Sequence, residues 1–228
     1  MARTVKEPDV RRNEILDVAQ QFFYTKGYEQ TSVHDIIDQV GIAKGTFYHY
    51  FGSKVELLDE LIERMTDQVM AIIEPVVADE NLAAAAKFRQ FFNVSVGWKA
   101  QSKAFLLDIL RPYYADDNAV FRHKMMAVGT TRIAPLLTRI VRQGVAEGAF
   151  DTDYPDEIGE IVVLILTSFS EGLASMILQE TSNGDLLPAA EKKLIVSQHA
   201  IERLLGATEG SLPIMDICLL YTSDAADE

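Results

Sequence analysis

The 228-residue sequence predicts an all-α protein, with a small N-terminal unit of three short helices ahead of a larger helical body. Three observations predict it. Apolar residues recur at three- and four-residue spacing along most of the chain. No segment sustains the period-two alternation of a half-buried strand. Gly27, Gly41 and Gly206 stand where helical patterns end, the position at which a residue without Cβ is favoured.

The first helix is expected from about Asp9 to Lys26, with Ile15, Val18, Ala19, Phe22 and Phe23 on one face and Gly27 as its stop. Thr31 or Ser32 then caps a second helix whose apolar side is Val33, Ile36, Ile37 and Val40. Gly41 makes a turn into a third helix over about Ala43 to Tyr50. Ser53-Lys54-Val55-Glu56 fits a capping box opening a fourth, which continues through Leu57, Leu58, Leu61, Ile62 and Met65 to about Pro75.

The body follows the same periodicity. Residues 82–112 carry Phe88, Phe91, Phe92, Val94, Trp98, Phe105, Leu106, Ile109 and Leu110. Residues 117–148 carry a second long pattern, in which Pro135 must kink the helix or begin a new one. Ile158 to Ile177 form a broad apolar stripe in which Gly159, Ser168, Gly172 and Ser175 permit close helix approach. After Asn183-Gly184-Asp185, Pro188 opens a last helix that ends before Gly206. The expected division is 1–54, 55–210 and a tail at 211–228.

Composition narrows the class. A hydrophobic content of 48% is that of a globular chain. The N-terminus lacks the apolar core of a signal peptide, and no apolar run is expected to reach the roughly 18 residues of a membrane span. With one cysteine there is no internal disulfide, so a reducing cytoplasm is the expected compartment. The net charge of −13 is unevenly spread: residues 1–54 balance seven Lys/Arg against seven Asp/Glu, and the remainder carries the excess. Such an acidic body repels phosphate, confining any nucleic-acid contact to the near-neutral N-terminal unit.

Two short helices joined at Gly41, the second dense in Lys, Thr, Tyr and His, read as a helix-turn-helix whose second helix enters the DNA major groove. Phe47 and Phe51, four apart, are expected to pack beneath it. Lys44, Gly45, Thr46, Tyr48 and His49 then lie outward or at the edges. Lysine supplies counter-charge, glycine permits close backbone approach, and hydroxyls reach phosphates or base edges. Lys54 adds a cation in the next helix's first turn. The plain alternative is a small helical domain with solvated polar residues.

Residues 9–65 closely resemble the N-terminal domain of tetracycline-repressor (TetR/AcrR) type bacterial transcription regulators. The resemblance is carried by Ile15, Ala19, Phe22, Gly27-Tyr28, Thr31-Ser32-Val33 and Ile36, then by Gly41 through Phe51 and Ser53-Lys54. It implies a homodimer reading a palindromic operator in double-stranded DNA. It further implies that Lys44, Gly45, Thr46, Tyr48, His49, Tyr50 and Lys54 touch DNA, with Thr31 and Ser32 doing so at the start of the second helix. One departure is Ala43, where many relatives carry a capping serine; that loss costs about 1 kcal/mol. Residues 143–150 resemble the family's C-terminal domain more loosely.

Ile161, Ile165, Phe169 and Leu173 with Ile201 and Leu205 suggest the dimer interface, since the matching helices form a four-helix bundle in relatives. The alternative is that both stripes bury within one subunit. Trp98, Phe105, Tyr113, Tyr114, Phe121, Met125, Met126 and Phe169 are candidates to line a pocket for a small, mostly apolar effector, although such side chains are more often ordinary core. Arg122 and His123 are candidates to orient an anionic group.

No catalytic, cofactor or metal constellation is expected: the four histidines (34, 49, 123, 199) are scattered, and no nucleophile elbow or phosphate loop is present. The expected function is thus a ligand-responsive repressor. Its rivals are an all-α ligand-transforming enzyme carrying a helix-turn-helix, and a regulator sensing a protein partner. Residues 218–228, including Cys218, resemble a translated sequencing adaptor, against the alternative of a natural acidic tail.

Overall fold

A computed structural model describes residues 7–95, 110–179 and 186–214. Their helices are α1 (Pro8–Thr25), α2 (Val33–Val40), α3 (Lys44–Tyr50), α4 (Lys54–Ala78), α5 (Ala84–Ser95), α6 (Ala119–Ala146), α7 (Ile158–Gln179) and α8 (Leu186–Leu205), with a 3-10 turn at Asp116–Asn118. Among the described residues there is no strand, so the all-α expectation holds.

The chain forms two compact units. One is Met1–Met65 with Ile109–Met125; the other is Thr66–Asp108 with Met126–Glu228. The division differs from the break expected at Lys54. Leu57, Leu58, Leu61 and Ile62 are fully buried, so the first half of α4 is core of the N-terminal unit rather than the opening of the body. Residues 109–125, expected in the body, also belong to the N-terminal unit.

The body core gathers Met70, Ile73 and Val77 of α4, Phe88, Phe91 and Phe92 of α5, and Leu136, Leu137, Ile140 and Val141 of α6. Val162 and Phe169 of α7 and Leu194, Ile201 and Leu205 of α8 join the same cluster. Burial of this kind contributes about 25 cal/mol per Å² of apolar surface, which is why an acidic chain still closes on itself. Pro135 lies inside α6 and does not begin a new helix, and α4 likewise continues through Pro75.

Small residues set close approaches within the body. A Cβ at Gly172 would lie 2.2 Å from Cε of Lys193, and one at Gly159 would lie 2.7 Å from the Ala134 carbonyl oxygen. Of the small residues of α7 expected to admit a neighbouring helix, Gly159 thus admits α6 of the same subunit and Gly172 makes room for the Lys193 side chain of α8. At the end of α6, the amides of Ala149 and Phe150 donate to the Gly144 carbonyl at 2.8 and 3.0 Å, which folds the buried Phe150 ring back onto Gly144. Glu147 accepts the Ala84 amide at 2.9 Å and so supplies α5 with an N-terminal acceptor. That bond, ahead of the Gln143 amide bond, holds the Glu147 carboxyl below the usual carboxylate range.

The tail expected from 211 begins later. Leu212 and Ile214 are buried in the body core, and buried Glu202 accepts the amides of Gly210 and Leu212 at 3.0 Å each. An exposed tail at 211–214 would waste that burial. Residues 218–228 lie outside the described residues.

One expectation about length also changes. Ile158–Leu178 is long and apolar enough to cross a membrane by length and composition, with mean hydropathy 2.0. Only 28% of that stretch is buried in the subunit, because α7 is apolar on its outward as well as its inward face.

Candidate nucleic-acid interface

The N-terminal unit is built around α1, whose Ile15, Leu16, Ala19 and Phe23 are buried. Ser32 caps α2: its Oγ accepts the Asp35 amide at 3.1 Å, while Asp35 Oδ2 accepts the Ser32 amide at 2.8 Å. The Ser32 amide bond first, and then the Ser32 hydroxyl donating to Asp35 Oδ2 at 2.7 Å, pull the Asp35 carboxyl down to about 2. Gly41 ends α2 at φ 72°, its amide donating to the Ile37 carbonyl, a left-handed geometry that L side chains resist.

Helix α3 then stands on a fully buried pedestal of Phe47 and Phe51, whose ring centroids are 5.9 Å apart. Ala43 offers no side-chain cap, as the sequence implied. With 3.6 residues per turn, burying 47 and 51 sends 45 and 49 outward and 48 to the edge, whereas 44, three residues before 47, is exposed as the first residue of the helix. Lys44, Gly45, Tyr48 and His49 are indeed exposed, while Thr46 and Tyr50 are half-buried at the flanks. The Lys44 ammonium lies 5.9 Å from the Tyr48 ring centroid, and His49 packs edge-on to Tyr50 at 5.1 Å. No atom lies within 4 Å of where a Cβ would stand on Gly45, so its backbone is open to approach. The result is a short convex rod bearing a lysine, an imidazole and a phenol.

Thr31 and Lys54, both expected on this surface, are turned inward. The Thr31 hydroxyl is buried and donates to the Gly27 carbonyl at 2.8 Å. The Lys54 ammonium donates to the Tyr28 and Thr31 carbonyls at 2.8 and 3.0 Å and sits 4.2 Å from the Tyr28 ring centroid. Partial burial lowers its pKa, only partly opposed by Glu29. The backbone carbonyls of the α1–α2 loop need donors, and these two side chains supply them before any phosphate can. The box at Ser53 is also half as expected: the Glu56 amide donates to Ser53 Oγ, but its carboxylate reaches the Gly52 amide.

The pocket candidates fall in different units. Tyr113, Phe121 and Met125 belong to the N-terminal unit, where Phe121 is buried against Phe23, Tyr24 and Tyr113 at ring distances of 6.4, 6.0 and 5.9 Å. Phe169 is core of the body, and Trp98 and Phe105 lie outside the described residues. Arg122 donates to the Tyr113 and Ala115 carbonyls at 2.8 Å each rather than waiting for an anion.

The dimer candidates divide by phase. Phe169, Ile201 and Leu205 are buried in their own subunit, whereas Ile161 is 42% exposed and Ile165 and Leu173 are half-buried. The outward apolar face instead shows Leu164, Ile195 and Val196, at 49%, 45% and 60% exposure. An open groove along α7 and α8 is lined by Ile161, Leu164, Ile165, Met176, Lys192 and Val196, among others.

Sequence reasoning missed Asn118. It is fully buried and ties residues 112–118 to the α1–α2 region through bonds to the Tyr28 amide and the Phe23 carbonyl, while a third reaches the Pro112 carbonyl. Nothing in its sequence surroundings marks it, because the partners that give it this place are backbone groups 90 and 95 residues earlier in the chain. Among the described residues no group of three or more His, Cys, Asp or Glu could hold a metal ion.

Comparison with known proteins agrees with this geometry. The family model described as bacterial regulatory proteins, tetR family, matches residues 15–61, and that for the tetracyclin repressor-like C-terminal domain matches 111–178. The transcriptional repressor KstR2 of Rhodococcus jostii is 26% identical over 151 residues, which is 65% of this chain and 72% of that protein. KstR2 of Mycobacterium tuberculosis is 38% identical over 77 residues, 34% of this chain and 38% of that relative. In fold, the chain resembles the protein of the SmeT–triclosan complex with TM-score 0.61 at 17% identity, covering 91% of this chain and 98% of that one. A helix-turn-helix presenting α3 on its phenylalanine pedestal, and both halves matched by the same family, lead to one conclusion: the chain belongs to the tetR family of bacterial regulatory proteins, DNA-binding regulators of transcription.

Proposed function

We propose that the protein is a cytoplasmic, homodimeric repressor that binds a palindromic operator and releases it when a small, mostly apolar effector binds the body. The observation that carries this reading is the outward face of α3, where Lys44, Gly45, Tyr48 and His49 stand clear of the core on Phe47 and Phe51. Lys44 contacts phosphate, and Tyr48 and His49 reach phosphates or base edges, with Thr46, Tyr50 and Ser32 at the margins. A second copy pairs through the outward face of α7 and α8, centred on Ile161, Leu164 and Val196. Exposed apolar side chains this concentrated need a partner surface. Two-fold pairing sets the recognition helices about 34 Å apart, one turn of duplex.

The relatives named as repressors support the sign of regulation. Release needs little energy: a hundredfold loss of affinity corresponds to about 2.7 kcal/mol of coupling between effector and DNA. No turnover of the effector is required, and the protein acts as a binder rather than an enzyme. The test is selection of bound fragments from random duplexes, followed by sedimentation with the selected site. Recovery of an inverted repeat bound by two subunits is expected. Failure to retain any duplex at low ionic strength, or sedimentation solely as one subunit, overturns the reading.

A further inference from the structure

The α1–α2 loop, residues 27–31, is held by groups distant in sequence. Asn118 Oδ1 accepts the Tyr28 amide at 2.7 Å, and its Nδ2 donates to the Phe23 carbonyl at 2.7 Å and the Pro112 carbonyl at 2.8 Å. Beside it, the Asp117 carbonyl accepts the Glu29 amide at 2.9 Å, and its carboxylate accepts Gln30 Nε2 at 3.2 Å. Gly27, at φ 91°, admits this turn closely: a Cβ there would lie 2.7 Å from that of Asp117. Lys54 completes the grip through the Tyr28 and Thr31 carbonyls. The loop runs directly into Ser32, the N-cap of α2.

We propose that Asn118 is a positioning residue for duplex binding: it touches no DNA, but sets the backbone of the loop that aims α2 and, through Gly41, α3. This rests on the reading of α3 as the DNA-contacting helix. A fully buried amide using both donors and its carbonyl oxygen has one geometry, so the loop has one as well. Positioning errors of about 1 Å are enough to lose contacts that depend on hydrogen-bond distance.

The test compares the full chain with Asn118→Ala on one selected duplex, well below both melting temperatures. The variant is expected to bind roughly tenfold more weakly, equivalent to about 1.4 kcal/mol. Amide exchange at Tyr28 and Glu29 should accelerate in the variant. A folded variant with parental affinity overturns the proposal. If the variant does not fold, exchange is read on the parent: Tyr28 and Glu29 should slow further on duplex binding, and unchanged rates overturn the idea. A parent that binds no duplex instead defeats the DNA-binding assignment, a separate outcome.

Discussion

The ammonium of Lys54 rests 4.2 Å over the ring of Tyr28 while donating to that residue's own carbonyl at 2.8 Å. Lysine and tyrosine thus lock the start of α4 to the loop before α2. A hydrogen bond to a charged group typically contributes about 1.5–3 kcal/mol. Partial exposure of Lys54 discounts this, so Lys54→Ala should cost about 1–2 kcal/mol of unfolding free energy in urea. Its salt slope on DNA should stay at the parent's value; a drop would place the ammonium on phosphate instead.

Lys44 is the contrasting cation. It is exposed on α3 with only the Tyr48 ring beside it. Lys44→Ala should leave stability within about 0.5 kcal/mol. Loss of one phosphate contact per subunit should flatten the salt slope by about 0.9 for each, and weaken binding similarly across sequences. Anisotropy titrations at several salt concentrations read both.

The Ser32–Asp35 box gives a pH signature. Asp35 titrates at about 2 in the folded chain, chiefly because the Ser32 amide donates to it. Its unfolded value is near 3.8, so the folded pKa is depressed. Its stabilisation is therefore complete above the unfolded value and disappears as pH falls through about 2. A carbon-13 titration of the Asp35 carboxyl should show that low midpoint, and Ser32→Ala should raise it toward the ordinary range. A midpoint near 4 in the parent would mean the box is open.

The outward face of α7 and α8 makes a further distinction. Leu164→Asp with Val196→Asp places charges on side chains that are 49% and 60% exposed, so the subunit should keep its helical signal. Paired against a second copy, the same charges are desolvated and repel. Sedimentation should shift from dimer to monomer at micromolar concentration, with operator affinity falling in parallel. An unaltered dimer would place the interface elsewhere. Ile201→Asp, by contrast, should unfold the body, because Ile201 is fully buried in its own subunit.

Local periodicity and capping chemistry act over three or four residues, and those features were readable in one dimension. The spacing of Phe47 and Phe51 announced the pedestal and, by the helical turn, the outward Gly45, Tyr48 and His49. Gly41 announced the turn that ends α2, and Thr31 or Ser32 its cap. Other assignments depended on groups far along the chain. Thr31 and Lys54 turned inward because unpaired carbonyls at Gly27, Tyr28 and Thr31 needed donors. Asn118 reaches the Tyr28 amide, and Phe121 packs against Phe23 and Tyr24, because 109–125 folds with the N-terminal unit. On α7, apolar side chains all round the helix carry no phase information. Only packing against α6 and α8 chose Phe169 for the inside and Leu164 for the surface. Short-range geometry is written residue by residue; which of two equally apolar faces is buried is a property of the assembled core.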